Sequence, residues 1–258
     1  VVVLHHAKVI ARELIDLIGM IGVISTQMYL TGFEQPVVLR FAQLQMVAQQ
    51  YRKYTNDLSA PGLQEVPEPY DAKFTLGTVS IEENSQSNSN QVNKFVYSVP
   101  PGWVRDIDYT QTQTNFQMNE QAMSLCVTNL RNGDSRAAYK NVNLDLLFRK
   151  RLRMYIHMHN ENNLPVKAAA FVRLGTDVTQ NYYEIEINDL QSTPPNQGAQ
   201  DVVWPAKNEL NIALDELINA KSERNRSNNA ITVPYSVMTS DGRYKVTVVG
   251  NPDLSAVR

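Results

Sequence analysis

A single cysteine, Cys126, occurs in the 258 residues. Neither an internal disulfide nor a cysteine cage around a metal can therefore staple this chain. Charge is also scarce: Asp, Glu, Lys and Arg make up 19% of the residues, below the usual quarter. The 24 basic and 26 acidic side chains leave a net charge of −2, so no global field draws nucleic acid or an anionic membrane. Long apolar runs are missing too. A spanning helix needs about 18 or more such residues, and the best stretch, Leu14 to Val23, is about half that and carries Asp16, Gly19 and Gly22. Val1-Val2-Val3-Leu4 runs straight into His5-His6-Ala7-Lys8 with no leader pattern. The far end stops at Ala256-Val257-Arg258. Both ends read as cuts, and the chain is expected to be an internal segment of a longer one.

What is present suits a β-rich protein. Asn and Gln contribute 41 residues in place of charge, and hydrophobic residues reach 43%, enough for a substantial core. Strict alternation marks Gln121 to Thr128, Leu152 to Met158 and Tyr183 to Ile187 as strands, and Ala168 to Leu174 is apolar enough for a strand buried on both faces. Ile231 to Met238 and Tyr244 to Val249 flank Ser240-Asp241-Gly242-Arg243, whose Asp-Gly step supplies a tight hairpin turn. Pro234 puts the first of these at a sheet edge or bulge.

Helical signals are few. Asn208 to Lys221 sets Leu210, Leu214, Leu217 and Ile218 on one face with Asn208 as N-cap, and Val9 to Ile18 predicts a similar short helix. Glu82 to Asn93 has almost nothing to bury and predicts a mobile loop; Tyr109 to Asn119 is a second polar stretch.

The fold expected is mainly β: antiparallel β-sandwich, jelly-roll-like modules with one or two short helices. Residues 1–100 form the C-terminal part of one β-module, 101–118 a linker, and 119–258 a second module lacking its last strand. A short gapped repeat underlies this division. Ile10-Ala11-Arg12-Glu13-Leu14-Ile15-Asp16 is matched by Ile212 to Asn219, and Tyr29-Leu30-Thr31-Gly32 followed by Pro36 and Val38-Leu39-Arg40 by Val248-Val249-Gly250 followed by Pro252 and Val257-Arg258.

Candidate chemistry is sparse. His157 and His159 share a strand face at a spacing seen in metal sites, though no third ligand lies near; His5-His6 is weaker still. Asp106, Asp108, Asn132-Gly133-Asp134 and Asp177 are oxygen donors of the kind Ca²⁺ takes, without the alternating acidic loop. Trp103, Tyr109, Tyr182, Tyr183 and Trp204 could build a platform for sugar rings, against which Trp103 and Trp204 sit beside prolines as plugs. The run Arg149-Lys150-Arg151-Leu152-Arg153 reads as a solvated strand edge that resists edge-to-edge pairing. Asn225-Arg226-Ser227 fits a glycosylation sequon. Cys126 sits mid-strand, away from any helix terminus that would activate it. With no nucleophile elbow, phosphate loop or zinc helix, no enzyme is expected, and no catalytic, cofactor-binding or metal residue is assigned.

An ordered set of strings carries a resemblance. It begins with Leu39 to Val47, leading to Tyr51-Arg52-Lys53-Tyr54, then Val79 to Asn84 and Val99-Pro100-Pro101-Gly102. Asn119 to Leu125, Asp134 to Lys140, Lys150 to Met154, Arg173 to Asp177 and Gln180 to Glu184 follow, and Val203-Trp204-Pro205 and Gly250 to Ser255 complete it. From about Leu39 onward the chain resembles the SprA/Sov family of very large outer-membrane proteins. The resemblance implies a role in the type IX secretion translocon, whose giant β-barrel exports folded cargo and, in gliding bacteria, motility adhesins. This segment has no barrel signature of its own, so it is expected to be a soluble β insert, periplasmic or exposed at the cell surface. Its implied partners are other translocon subunits, secreted cargo and the rest of its own barrel chain, with no nucleic acid and with the membrane met only through the barrel. A carbohydrate-binding β-sandwich of a surface protein is the alternative.

Overall fold

A computed structural model describes residues 51–55, 58, 72–85, 96–108, 116–160, 166–194 and 197–258, together with the backbone of 8–12 and 27–31. The chain divides into two compact units, Val1–Ala48 and Gln49–Arg258. In the first, strands β1 (Lys8–Arg12) and β2 (Gln27–Thr31) pair antiparallel. Over residues 9–12 the expected helix is a strand, where the β-branched Val9 and Ile10 favour extended backbone, and residues 13–18 of that expectation lie outside the described residues.

The second unit runs β3 (Arg52–Tyr54), β4 (Lys73–Ser80), α1 (Ile81–Asn84), β5 (Ile107–Asp108), β6 (Phe116–Gln117), β7 (Gln121–Thr128), β8 (Ala137–Tyr139), β9 (Arg151–Met154), β10 (Ala170–Asp177) and β11 (Asn181–Ile187). It continues with α2 (Gln200–Val203), a 3₁₀ turn at Ala206–Asn208, β12 (Leu210–Ala213), α3 (Leu214–Arg226), β13 (Tyr235–Met238) and β14 (Lys245–Val249). Among the described residues the protein is thus mainly β, with every strand pair antiparallel and only short helices.

The centre is a four-stranded sheet in the order β10-β11-β14-β13. Period-2 alternation gives it two unlike faces. Val172, Ile185, Val246 and Val237 lie in register across it, and Leu174, Tyr183 and Val248 form the next row. These face a core completed by Leu210 and Ile212 of β12, Leu214, Leu217 and Ala220 of α3, and Leu254 and Val257 near the end. The opposite face carries ion pairs and hydrogen bonds beside the buried pair Tyr182 and Val249: Arg173 pairs with Glu184 at 2.6 Å, Lys245 with Glu186, and Ser236 hydrogen-bonds Thr247 at 2.7 Å. The Asp-Gly hairpin forms as expected. Gly242 has φ +70°, Asp241 accepts hydrogen bonds from Thr239 Oγ1 (2.6 Å) and Arg243 N (3.0 Å), and β13, just after Pro234, is an edge strand.

Several boundaries differ from expectation, among them that of the strand expected from Ile231, which begins at Tyr235 after a turn. The helix expected from Asn208 begins at Leu214, because Leu210–Ala213 first pairs with β9 as a strand. Asn208 caps nothing: its amide exchanges hydrogen bonds with the backbone of Gln191, accepting from its N–H at 2.7 Å and donating to its C=O at 2.8 Å. The strand expected from Leu152 to Met158 runs Arg151–Met154, beyond which Tyr155 and His157 turn toward another cluster. The expected loop from Glu82 opens instead as α1, where Ser80 Oγ accepts from Glu83 N at 3.3 Å; residues 86–93 lie outside the described residues.

Helix α3 carries a charge in the interior. The Arg224 guanidinium is fully buried, donating from Nη1 to the Gly250 carbonyl at 2.5 Å and from Nη2 to Asn225 Oδ1 at 3.0 Å. Gly250 has φ +65° and lies so close to Gln180 O that a Cβ there would clash. Glycine is required at that corner, where the chain leaves β14.

Candidate functional site

The sequence's aromatic and imidazole candidates meet around Trp204. This residue follows α2 and is buried, its Nε1 donating to Ser98 O at 2.7 Å. Tyr97, Tyr155 and His157 meet its ring edge-to-face at centroid distances of 6.0, 6.2 and 6.2 Å, a favoured arrangement for such rings. Tyr155 donates from its hydroxyl to Pro101 O at 2.7 Å. The segment around Val96–Pro101, the end of β9 and α2 are thereby tied together.

Both ring nitrogens of His157 are engaged. Nδ1 lies 2.8 Å from Val203 O, an acceptor only, so the proton sits on Nδ1. Nε2 then faces His159 Nδ1 at 3.2 Å. Burial lowers the His157 pKa to about 4; the bond to Val203 O opposes this and the neighbouring His159 adds to it. At neutral pH this is an uncharged, hydrogen-bonded imidazole. Burial drives the Tyr97 hydroxyl far above its usual range, with the hydrogen bond and charge of Glu120 acting in the same direction. These groups hold the fold together; none of them is poised as a base or nucleophile. Among the described residues, no three His, Cys, Asp or Glu side chains gather as a metal site.

The remaining candidates disperse. Asp177 closes the β10–β11 turn, accepting from Thr179 N, Thr179 Oγ1, Gln180 N and Asn181 Nδ2 at 2.6–2.9 Å. Burial opposes its ionisation, but these donors together hold its carboxyl well below the usual range. Asn132-Gly133-Asp134 is a turn with Gly133 at φ +90°. Asp106 and Asp108 lie in and beside the β5–β6 pair. Tyr182 and Tyr183 are buried in β11, and burial pushes the Tyr183 hydroxyl up to about 12. With Trp204 also buried, as the alternative reading of a plug has it, Tyr182, Tyr183 and Trp204 present no exposed platform for a sugar ring. Trp103 stands in solvent on the turn after Pro100, and Tyr109, His5 and His6 lie outside the described residues. The basic run divides: Arg151 donates to Asn211 and Arg153 pairs with Glu209, while Arg149 and Lys150 stay exposed. Cys126 is exposed on β7, and Asn225 is exposed on α3.

One surface goes beyond the sequence reading. β4 and β7 form a two-stranded ribbon paired from Lys73↔Thr128 to Ser80↔Gln121. One face sends Val79 and Ala122 against the Tyr97–Val203–Trp204 cluster. The other carries Met123, Leu125 and Val127, 42%, 46% and 37% exposed, beside Phe74, which pairs with Val127 and is buried. Alternation shows that β7 has an apolar side, but it cannot say that this side points outward, because Trp204 attracts the opposite one.

The fold and its clusters define an antiparallel β protein with a structurally committed aromatic knot and a solvent-facing apolar ribbon. Its sequence belongs to the SprA_N family of motility-related/secretion proteins, whose family model matches residues 18–258. The resemblance to SprA/Sov proteins is confirmed on that span. The chain matches no curated protein sequence. Among the described residues no helix is long and apolar enough to cross a membrane.

Proposed function

We propose that this chain is a segment of the outer-membrane translocation pore of type IX secretion, lying at the periplasmic or cell-surface side of the barrel. Its role is structural and cohesive rather than catalytic: it contacts neighbouring translocon subunits during export of cargo, including motility adhesins. Membership of a motility and secretion family over residues 18–258 is the observation that carries this reading. The β4–β7 ribbon supports it, since an apolar strand face held in solvent is suited to burial against another protein. Trp204, Tyr155 and His157 of the knot and the turn-capping carboxylates already spend their polar groups within the chain.

A photo-crosslinking residue at Leu125 in the intact protein, in living cells, tests the contact. Adducts with another subunit of the secretion machinery are expected at Leu125 and not at Thr75, on the other face of the ribbon. Equal labelling at both positions, or none at Leu125, would remove the ribbon from the interface.

A further inference from the structure

We propose that the turn Leu146–Arg149 is a membrane-surface anchor, inserting Leu147 and Phe148 among the lipids of an anionic bilayer while Arg149 and Lys150 meet the headgroups. This departs from the expectation that the membrane is met only through the barrel, and it stands on a different part of the chain from the ribbon. Phe148 is 87% exposed and Leu147 53%, side by side at the tip. Leu144, 47% exposed, lies just before them.

The tip is built rather than loose. Leu146 packs against the main core and donates its N–H to Leu254 O at 2.8 Å. Arg149 N closes the turn onto Leu146 O at 3.0 Å, and the Asp145 carboxylate accepts from Leu147 N at 2.9 Å. On the outgoing side, Lys150 O accepts from Leu214 N at 3.0 Å, tying the turn to the start of α3. Upstream, Leu144 and Val257 exchange backbone hydrogen bonds at 3.0 and 3.1 Å. The fold therefore holds two large apolar side chains exposed at a turn whose backbone is fixed on both sides.

Charge identifies the occupant. Arg149, Lys150 and Arg151 follow the tip directly. Arg151 is held by neutral Asn211, which leaves its charge uncompensated, and among the described residues no ion pair engages Arg149 or Lys150. The carboxylates nearby are Asp145 and Asp253, both turned back onto backbone N–H groups of their own turns, and Asp215 in the first turn of α3. An apolar tip bordered by cations matches the layering of an anionic bilayer surface, with hydrocarbon beneath and phosphate above. Long basic side chains can reach headgroups while their stems remain in the interface.

The test uses the purified full chain and sedimentation with phosphatidylethanolamine vesicles containing a quarter phosphatidylglycerol, compared with phosphatidylcholine vesicles. Binding is expected to the anionic vesicles and to weaken with salt. Phe148→Ser should weaken it at least about tenfold, and R149Q and K150Q about fivefold each. In a C126S background, an environment-sensitive fluorophore on F148C should brighten and shift to the blue on anionic vesicles. Unchanged binding by Phe148→Ser, no vesicle binding at all, or a fluorophore that responds only to an acidic protein would overturn the proposal. Cargo export is not read in this assay, so its failure leaves the translocon reading to be judged separately.

Discussion

Burial beside Trp204 withdraws His157 from ordinary titration and links it to stability. Unfolded, it takes up a proton near its ordinary pKa of 6.5; folded, it resists until about 4. Across that window the unfolded chain binds more protons, so stability rises with pH. The contribution is complete above about pH 6.5 and is lost as pH falls toward 4, a span of roughly 2–3 kcal/mol after allowance for partial exposure. Urea unfolding at several pH values should show this slope. H157N, which keeps a donor for Val203 O, should flatten it; an equal slope in the variant would assign the effect elsewhere. The spacing of His157 and His159 is plain in the sequence. What each nitrogen does is not, because Val203 lies 46 positions away. Asn208 is misread for the same reason: a capping residue by type, it pairs with Gln191 through contacts 17 positions apart.

Turn chemistry made the β13–β14 hairpin legible, since Asp241 and Gly242 specify it within four residues. Helix α3 was only partly so. Leu210, Ile212 and Leu214 fit a strand, whereas Leu210, Leu214, Leu217 and Ile218 fit a helix, and pairing with β9 decides in favour of the strand up to Ala213. The offset matters for packing, because the two neighbouring apolar residues of α3 part company. Leu217 is wholly buried against the sheet, while Ile218 is 44% exposed. Leu217→Ala should cost roughly 2–4 kcal/mol, and Ile218→Ala about 0.5 kcal/mol or less. Comparable losses in urea midpoints would contradict the observed helix register. The apolar side of β7 shows the limit of periodicity: alternation separates two faces, but the long-range partner determines which one meets water.

In the whole chain, the polar and apolar faces of the central sheet follow from alternation, and the mainly β character from composition and strand pattern. The knot around Trp204 and the outward ribbon depend on contacts among segments far apart in sequence, which no local pattern records. Family membership places this architecture in motility and secretion, and the proposed role assigns its exposed ribbon to assembly of the pore. The direct measurement is cargo export in cells whose intact protein carries Met123→Thr, Leu125→Thr and Val127→Thr together. Threonine keeps strand propensity while removing the apolar face, so the protein should accumulate at its normal level. On the proposed role, secreted cargo is then expected to accumulate in the periplasm, with little reaching the cell surface. Undiminished export by the triple variant would contradict the proposed role of the ribbon.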